Sequence, residues 1–171
     1  MLAADVLTVL ELLGSADVSV WLDGGWGVDA LLGRQSRVHE DLDLVIESRY
    51  YEEVRHVLEP LGFELAEDHL PTRAVRSSLD RGQIDVHLIT FDAKGTGCQK
   101  DAGPGGGDCS YPEGGFGHGR LMDTVVPCLT ASYSSSTTAA MSPENVTGPT
   151  WSRCRWPSGL LCRLLIDGEE S

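Results

Sequence analysis

The sequence has no Cys-x-x-Cys pair, and its five cysteines (Cys98, Cys109, Cys128, Cys154 and Cys162) form an odd set. That usage argues against both a zinc site and a disulfide framework, so the cytoplasm is the expected compartment. Positive charge is scarce as well: 13 Lys and Arg stand against 26 Asp and Glu, a formal charge of -13. Such a field repels a nucleic-acid backbone or an anionic membrane and draws in cations, so neither nucleic acid nor membrane is expected as a partner. Long apolar runs are missing too. The opening MLAADVLTVLELLG has no basic leader and is interrupted by Asp5 and Glu11, which suits an amphipathic helix rather than a signal peptide or a span. No internal repeat is visible. The 171 residues, 41% of them hydrophobic, are enough for one domain with a two-layer core.

What is present centres on Val18 to Ile46, VSVWLDGGWGVDALLGRQSRVHEDLDLVI. Val18 to Leu22 is a short run of strand formers, Asp23-Gly24-Gly25 breaks it, and Trp26 to Leu32 resumes with helical spacing. A second strand over Leu42 to Ile46 carries Asp41 and Asp43 at its start. The period of two puts both carboxylates on one face and Leu42 and Leu44 on the other. Two carboxylates about 4 Å apart repel by roughly 4 kcal/mol at an effective dielectric near 20, which calls for a cation or a proton between them. A divalent metal answers that need.

The rest of the chain supplies a scaffold. Leu2, Val6, Val9, Leu10 and Leu13 form a helical stripe ended by Gly14. Ser48 reads as the N-cap of a helix from Arg49 to Leu58, closed by Pro60 and Gly62. Strands are expected over Phe63 to Ala66, Ala74 to Leu79 and Ile84 to Phe91, the last two joined at Asp80-Arg81-Gly82. Half of the 20 glycines fall between Lys94 and Arg120, which reads as a long loop. Pro127 limits Leu121 to Leu129 to an edge strand or a turn.

Chemistry enters with Asp85, which shares a face with His87 and joins Asp41 and Asp43 if its strand neighbours theirs. Such a triad suits Mg²⁺, which prefers hard oxygen ligands and commonly combines carboxylates with nucleotide phosphates. Gly24 and Gly25 expose backbone N–H groups at the positive end of the following helix, where a phosphate tail binds. His39 and His87 flank the carboxylates and are placed to bond phosphate or substrate, and Arg34 and Arg37 to neutralise phosphate charge. Together these residues describe a nucleoside-triphosphate site.

The stretch WLDGGWGVDALLGRQSRVHEDLDL, with Ile84-Asp85-Val86-His87 and Phe91-Asp92 downstream, resembles the antibiotic nucleotidyltransferases. These are the lincosamide and aminoglycoside enzymes of the DNA polymerase beta-like superfamily, and the later motif is closer to the lincosamide branch. The resemblance covers Ala3 to about Ala131. It implies an α/β (α+β) fold, a mixed sheet with packed helices, spanning 1–131. It also implies transfer of a nucleotidyl group, AMP from ATP, to a hydroxyl of a small antibiotic. By the same resemblance Asp41 and Asp43 bind Mg²⁺ and the phosphates, and Asp85 completes the metal site or acts as the base. Gly24, Gly25, Arg37 and His39 are then the nucleotide-binding set and His87 meets the substrate. A protein or RNA acceptor, or a nucleotide-binding remnant without turnover, are the alternatives, and a homodimer is left open.

After Ala131 the text changes to one without helical or strand period. Plausible GC-rich codons for Ala131 to Trp156, read one base earlier, spell an amphipathic, charged sequence that resembles the family's own continuation. A frameshift is therefore expected to have replaced the native end of the chain. Residues 132–171 are then an altered, loosely structured tail, and activity is weak or absent.

Overall fold

The structure, a computed structural model, describes residues 1–131. The frameshift, the altered tail and its loose packing concern 132–171 and lie outside the described residues.

The amino-terminal stripe forms α1 (Ala3–Ser15), which buries Val6, Val9, Leu10 and Leu13. The chain then enters β1 (Val20–Leu22), turns at Asp23 and starts α2 (Gly24–Leu32) at once, without an intervening loop. Gly33, in a left-handed conformation, ends α2. Next come β2 (Asp41–Glu47), a 3₁₀ turn at Ser48–Tyr50 and α3 (Tyr51–Leu58). Ser48 therefore opens a tighter turn ahead of the helix and does not cap it, since its hydroxyl donates to the Ile89 carbonyl. An antiparallel pair, β3 (Glu64–His69) and β4 (Arg73–Ser78), leads into β5 (Gly82–Phe91).

The glycine-rich stretch departs from the expected loop, for it contains β6 (Gly97–Gln99), β7 (Cys109–Tyr111) and β8 (Phe116–Leu121). The first two are three residues long, too short to show a period. A Cβ on Gly97 would press on Ile89, Phe116 and Tyr111, so glycine there is a packing requirement. The last strand, β9 (Thr124–Leu129), is interior and not at an edge. Pro127 is tolerated because β9 meets β1 at a single register position, Leu22 opposite Cys128.

The main path of the sheet runs β3-β4-β5-β2-β1-β9-β8, with β6 and β7 added beyond β5. One face carries Leu42, Leu44, Ile46, Ile84 and Val86 beneath α1, α2 and α3, in one core with Val6, Trp26 and Val54. On the opposite face Val45, Ile89, Tyr111 and Leu129 form a smaller core edged by Trp21, Phe91 and Phe116. The acidic positions of β2 and β5 share this second face by strand alternation. No helix among the described residues is long and apolar enough to cross a membrane.

Candidate functional site

Strands β2 and β5 run parallel and side by side, pairing Asp41 with Gln83, Asp43 with Asp85 and Val45 with His87. Alternation turns Asp43 and Asp85 to the same face, and His87 follows two residues on. Ligand atoms of Asp43, Asp85 and His87 all lie within 4.8 Å of one another. Asp41 is exposed at the start of β2 and is not part of that group. Of the expected triad, Asp43 and Asp85 are brought together, and His87 lies beside them.

Asp43 and Asp85 also have cationic neighbours within the protein. Arg73, from β4, donates through Nη1 to Asp85 Oδ2 at 2.5 Å and through Nη2 to Glu67 at 3.1 Å. His87 Nε2 lies 3.7 Å from Asp43 Oδ1 and 3.9 Å from Asp85 Oδ1. Burial works against a charge on His87, but Asp43, Asp85 and Asp23 outweigh it and raise its pKa to about 9. Asp85 moves upward too, chiefly through burial, with His87 and Arg73 opposing.

Asp23 is a further acid that the sequence motif did not single out. It ends β1, its N–H donates to the Asp43 carbonyl at 2.9 Å, and it is 5% exposed. Burial is the largest cause of a pKa raised to about 7; His87 and the Gly24 N–H pull it down, and Asp43 and Asp85 push it up. Its position directly before Gly24 was the available signal.

The two glycines are dictated by contact. Gly24 has φ +59, and a Cβ there would sit inside the Asp43 carboxylate. A Cβ on Gly25 would run into the His39 ring, with the Arg37 guanidinium 3.0 Å away. His39 itself is buried, so its place is behind the glycine turn and not on an open surface. Its Nε2 meets Asp29 Oδ2 at 2.5 Å, its ring packs 4.6 Å from that of Trp26, and Asp29 Oδ1 accepts from the Ser36 backbone and hydroxyl. Asp29 was overlooked because it reads as one polar residue inside a helical stripe.

Four buried polar atoms around this turn have no hydrogen-bond partner among the described residues: Asp23 Oδ1, Trp26 Nε1, His39 Nδ1 and Asp85 Oδ1. Buried polar atoms are ordinarily satisfied, so such a cluster marks a place built for a polar ligand. The donor set at Asp43 and Asp85 is hard oxygen, with one Asp85 oxygen uncommitted, and fits a magnesium-sized divalent ion better than a thiophilic one.

Residues 5–144 match the family described as aminoglycoside-2''-adenylyltransferase, a match that extends past Ala131. A lincosamide resistance protein of Staphylococcus haemolyticus is 31% identical over 125 residues, 73% of this chain and 76% of that one. A 2''-aminoglycoside nucleotidyltransferase of Escherichia coli is 35% identical over 66 residues, 37% of each chain. Among solved structures, a lincomycin-bound lincosamide antibiotic adenylyltransferase superposes with a TM-score of 0.69 at 28% identity, covering 84% of this chain and 88% of that one. With the glycine turn, the paired acids and the mixed sheet in place, the chain belongs to the aminoglycoside-2''-adenylyltransferase family and is a nucleotidyltransferase.

Proposed function

We propose that this protein transfers AMP from ATP to a hydroxyl of a small antibiotic of the lincosamide or aminoglycoside kind, releasing pyrophosphate. The observation that carries the reading is the register of Asp43 opposite Asp85 beside Gly24, whose missing side chain leaves the Asp43 carboxylate room at the head of α2. Backbone N–H groups of Gly24 and Gly25, at the positive end of that helix, suit the phosphate tail, and Arg37 lies close enough to add its charge. Asp43, with Asp41 at the strand entrance, would hold Mg²⁺, which leaves Asp85 Oδ1 to the acceptor. Bound there, the ion would neutralise phosphate charge and polarise the phosphorus under attack.

Asp85 has the features of a base toward the acceptor hydroxyl. Its Oδ2 is fixed by Arg73, its Oδ1 is uncommitted, and burial raises its proton affinity. The hydroxyl oxygen bonds to the α-phosphorus as its proton passes to Asp85, and the bond to the pyrophosphate oxygen breaks. His39 does not reach the nucleotide across open solvent; it supports the turn from behind, held by Asp29. The relatives' names favour an antibiotic acceptor, and the charge of -13 disfavours RNA. We also propose that the altered tail weakens turnover.

The test is an ATP- and Mg²⁺-dependent pyrophosphate-release screen across lincosamides, aminoglycosides and RNA. Release with a lincosamide or an aminoglycoside is expected. Release with RNA alone would overturn the acceptor class.

A further inference from the structure

Behind His87, away from the carboxylates, stands a buried amide. Gln99, from β6, is 3% exposed and has contacts in three directions. Its Oε1 accepts from the Tyr111 hydroxyl at 2.8 Å, its Nε2 donates to the Thr72 carbonyl at 2.9 Å, and the same Nε2 lies 3.1 Å from His87 Nδ1. Each contact constrains the next. A carbonyl such as that of Thr72 can only accept, so the amide end facing it must be the NH₂. The phenol of Tyr111 then supplies its proton to Oε1. Turning the amide over would set Oε1 against the Thr72 oxygen and lose that bond. The second N–H of the fixed NH₂ group points at Nδ1, which must therefore be the unprotonated nitrogen of the neutral ring.

We infer that Gln99 is a positioning residue for His87: anchored by Thr72 and Tyr111, it fixes the ring with Nε2 turned toward Asp43 and Asp85 and selects the Nε2–H tautomer over the Nδ1–H one. The role this gives His87 is that of a hydrogen-bond donor at the site, not a proton acceptor, which leaves acceptance of the hydroxyl proton to a carboxylate. Without Gln99 the ring could turn over and present a lone pair to the two carboxylates, an arrangement of acceptors facing acceptors.

The catalytic part of this inference rests on the nucleotidyl-transfer reading; the tautomer does not. Two readouts separate them. Imidazole ¹⁵N–¹H spectra of the full chain, with His87 assigned by loss of its signals in His87→Gln and recorded where the ring is neutral, are expected to show Nδ1 unprotonated and Nε2 protonated. Gln99→Glu keeps the shape but can only accept, and is expected to move the proton to Nδ1. Tyr111→Phe frees Oε1 while keeping the ring, and is expected to yield a mixture. In the pyrophosphate assay Gln99→Glu and Gln99→Leu are expected to lower kcat by about 10-fold to 100-fold with KM for ATP and antibiotic within about twofold, a pattern that mere loosening of the fold does not produce. Thermal unfolding accompanies each variant. A wild-type ring protonated at Nδ1, or a tautomer unchanged in Gln99→Glu, overturns the inference whatever the activity. A correct tautomer in a chain that transfers no nucleotide to any acceptor keeps the inference about Gln99 and overturns the proposed reaction instead.

Discussion

Asp43 and Asp85 face each other at one register position of two parallel strands, and each has a cationic or polar neighbour of its own, His87 for the first and Arg73 for the second. The carboxylates are therefore held for use without depending on a metal for the integrity of the sheet. If Asp43 holds the proposed ion, Asp43→Asn is expected to reduce turnover by at least about 100-fold while the fold survives. Pyrophosphate release and thermal unfolding of the same sample check this; a variant with near wild-type turnover would remove Asp43 from the metal site.

Arg73→Gln is a test from the other side. It leaves Asp85 and Glu67 without their shared partner in a half-buried setting, and a loss of stability of about 1–3 kcal/mol is expected from denaturant unfolding. Activity should fall with it, since Asp85 Oδ2 is no longer fixed.

Gly25→Ala should be costly although it adds one carbon. The Cβ would meet the His39 ring, whose other side is held by Asp29, so neither can step away. Overpacking of this kind costs about 1–3 kcal/mol, and the nucleotide KM should rise as the turn shifts. Unchanged ATP binding by calorimetry would separate the turn from the nucleotide.

Asp23 sets a pH dependence. Its carboxyl in the folded protein holds a proton up to about 7, against 3.8 ordinarily. Between those values the native state binds more protons than the unfolded one, so this group makes stability fall as pH rises and the full penalty applies above the native pKa. The shift corresponds to up to about 4 kcal/mol, so the gain in Asp23→Asn over wild type should be larger at about pH 8 than at about pH 4. Denaturant curves of the metal-free protein at both values give the answer, and an equal gain at both would remove Asp23 as the source.

ATP and Mg²⁺ should bind together. Without the ion, Asp23, Asp43 and Asp85 oppose a polyanionic nucleotide. Calorimetry with and without magnesium reads this directly, and equal affinity would contradict it. The proposal about the tail has its own measurement: the coding sequence restored to the neighbouring frame after Ala131 should give higher turnover than the 171-residue chain.

The acidic strand, the glycine turn and the helix behind it were legible because each depends on local order: alternation on β2, a break at Asp23 to Gly25, and helical spacing from Trp26. Asp85 could be joined to Asp43 only on the condition that their strands be neighbours, since pairing is a long-range property that no window of sequence displays. Gln99 was invisible for a related reason. It sits on a strand of three residues in a glycine-rich stretch, and its importance comes from Thr72 and Tyr111, 27 and 12 residues away. His39 was noticed for its chemistry and misplaced in depth, because its partner Asp29 looks like an ordinary surface acid in the text of α2.

The strand order also has a consequence for how the molecule comes into being. Strand β1, which aims the chain into the glycine turn, lies between β2 and β9, and β2 in turn lies between β1 and β5. A nascent chain released from the ribosome tunnel as far as Glu47 has its glycines and Asp23, Asp41 and Asp43, with β1 and β2 present but neither flanked on its outer side. Emergence of β5 brings Asp85 and His87, and only after Leu129 is β1 enclosed. Closing such distant segments costs chain entropy before any contact repays it. The acidic cleft is therefore assembled late, and any ligand that needs Asp43 and Asp85 together meets a chain whose sheet is already complete.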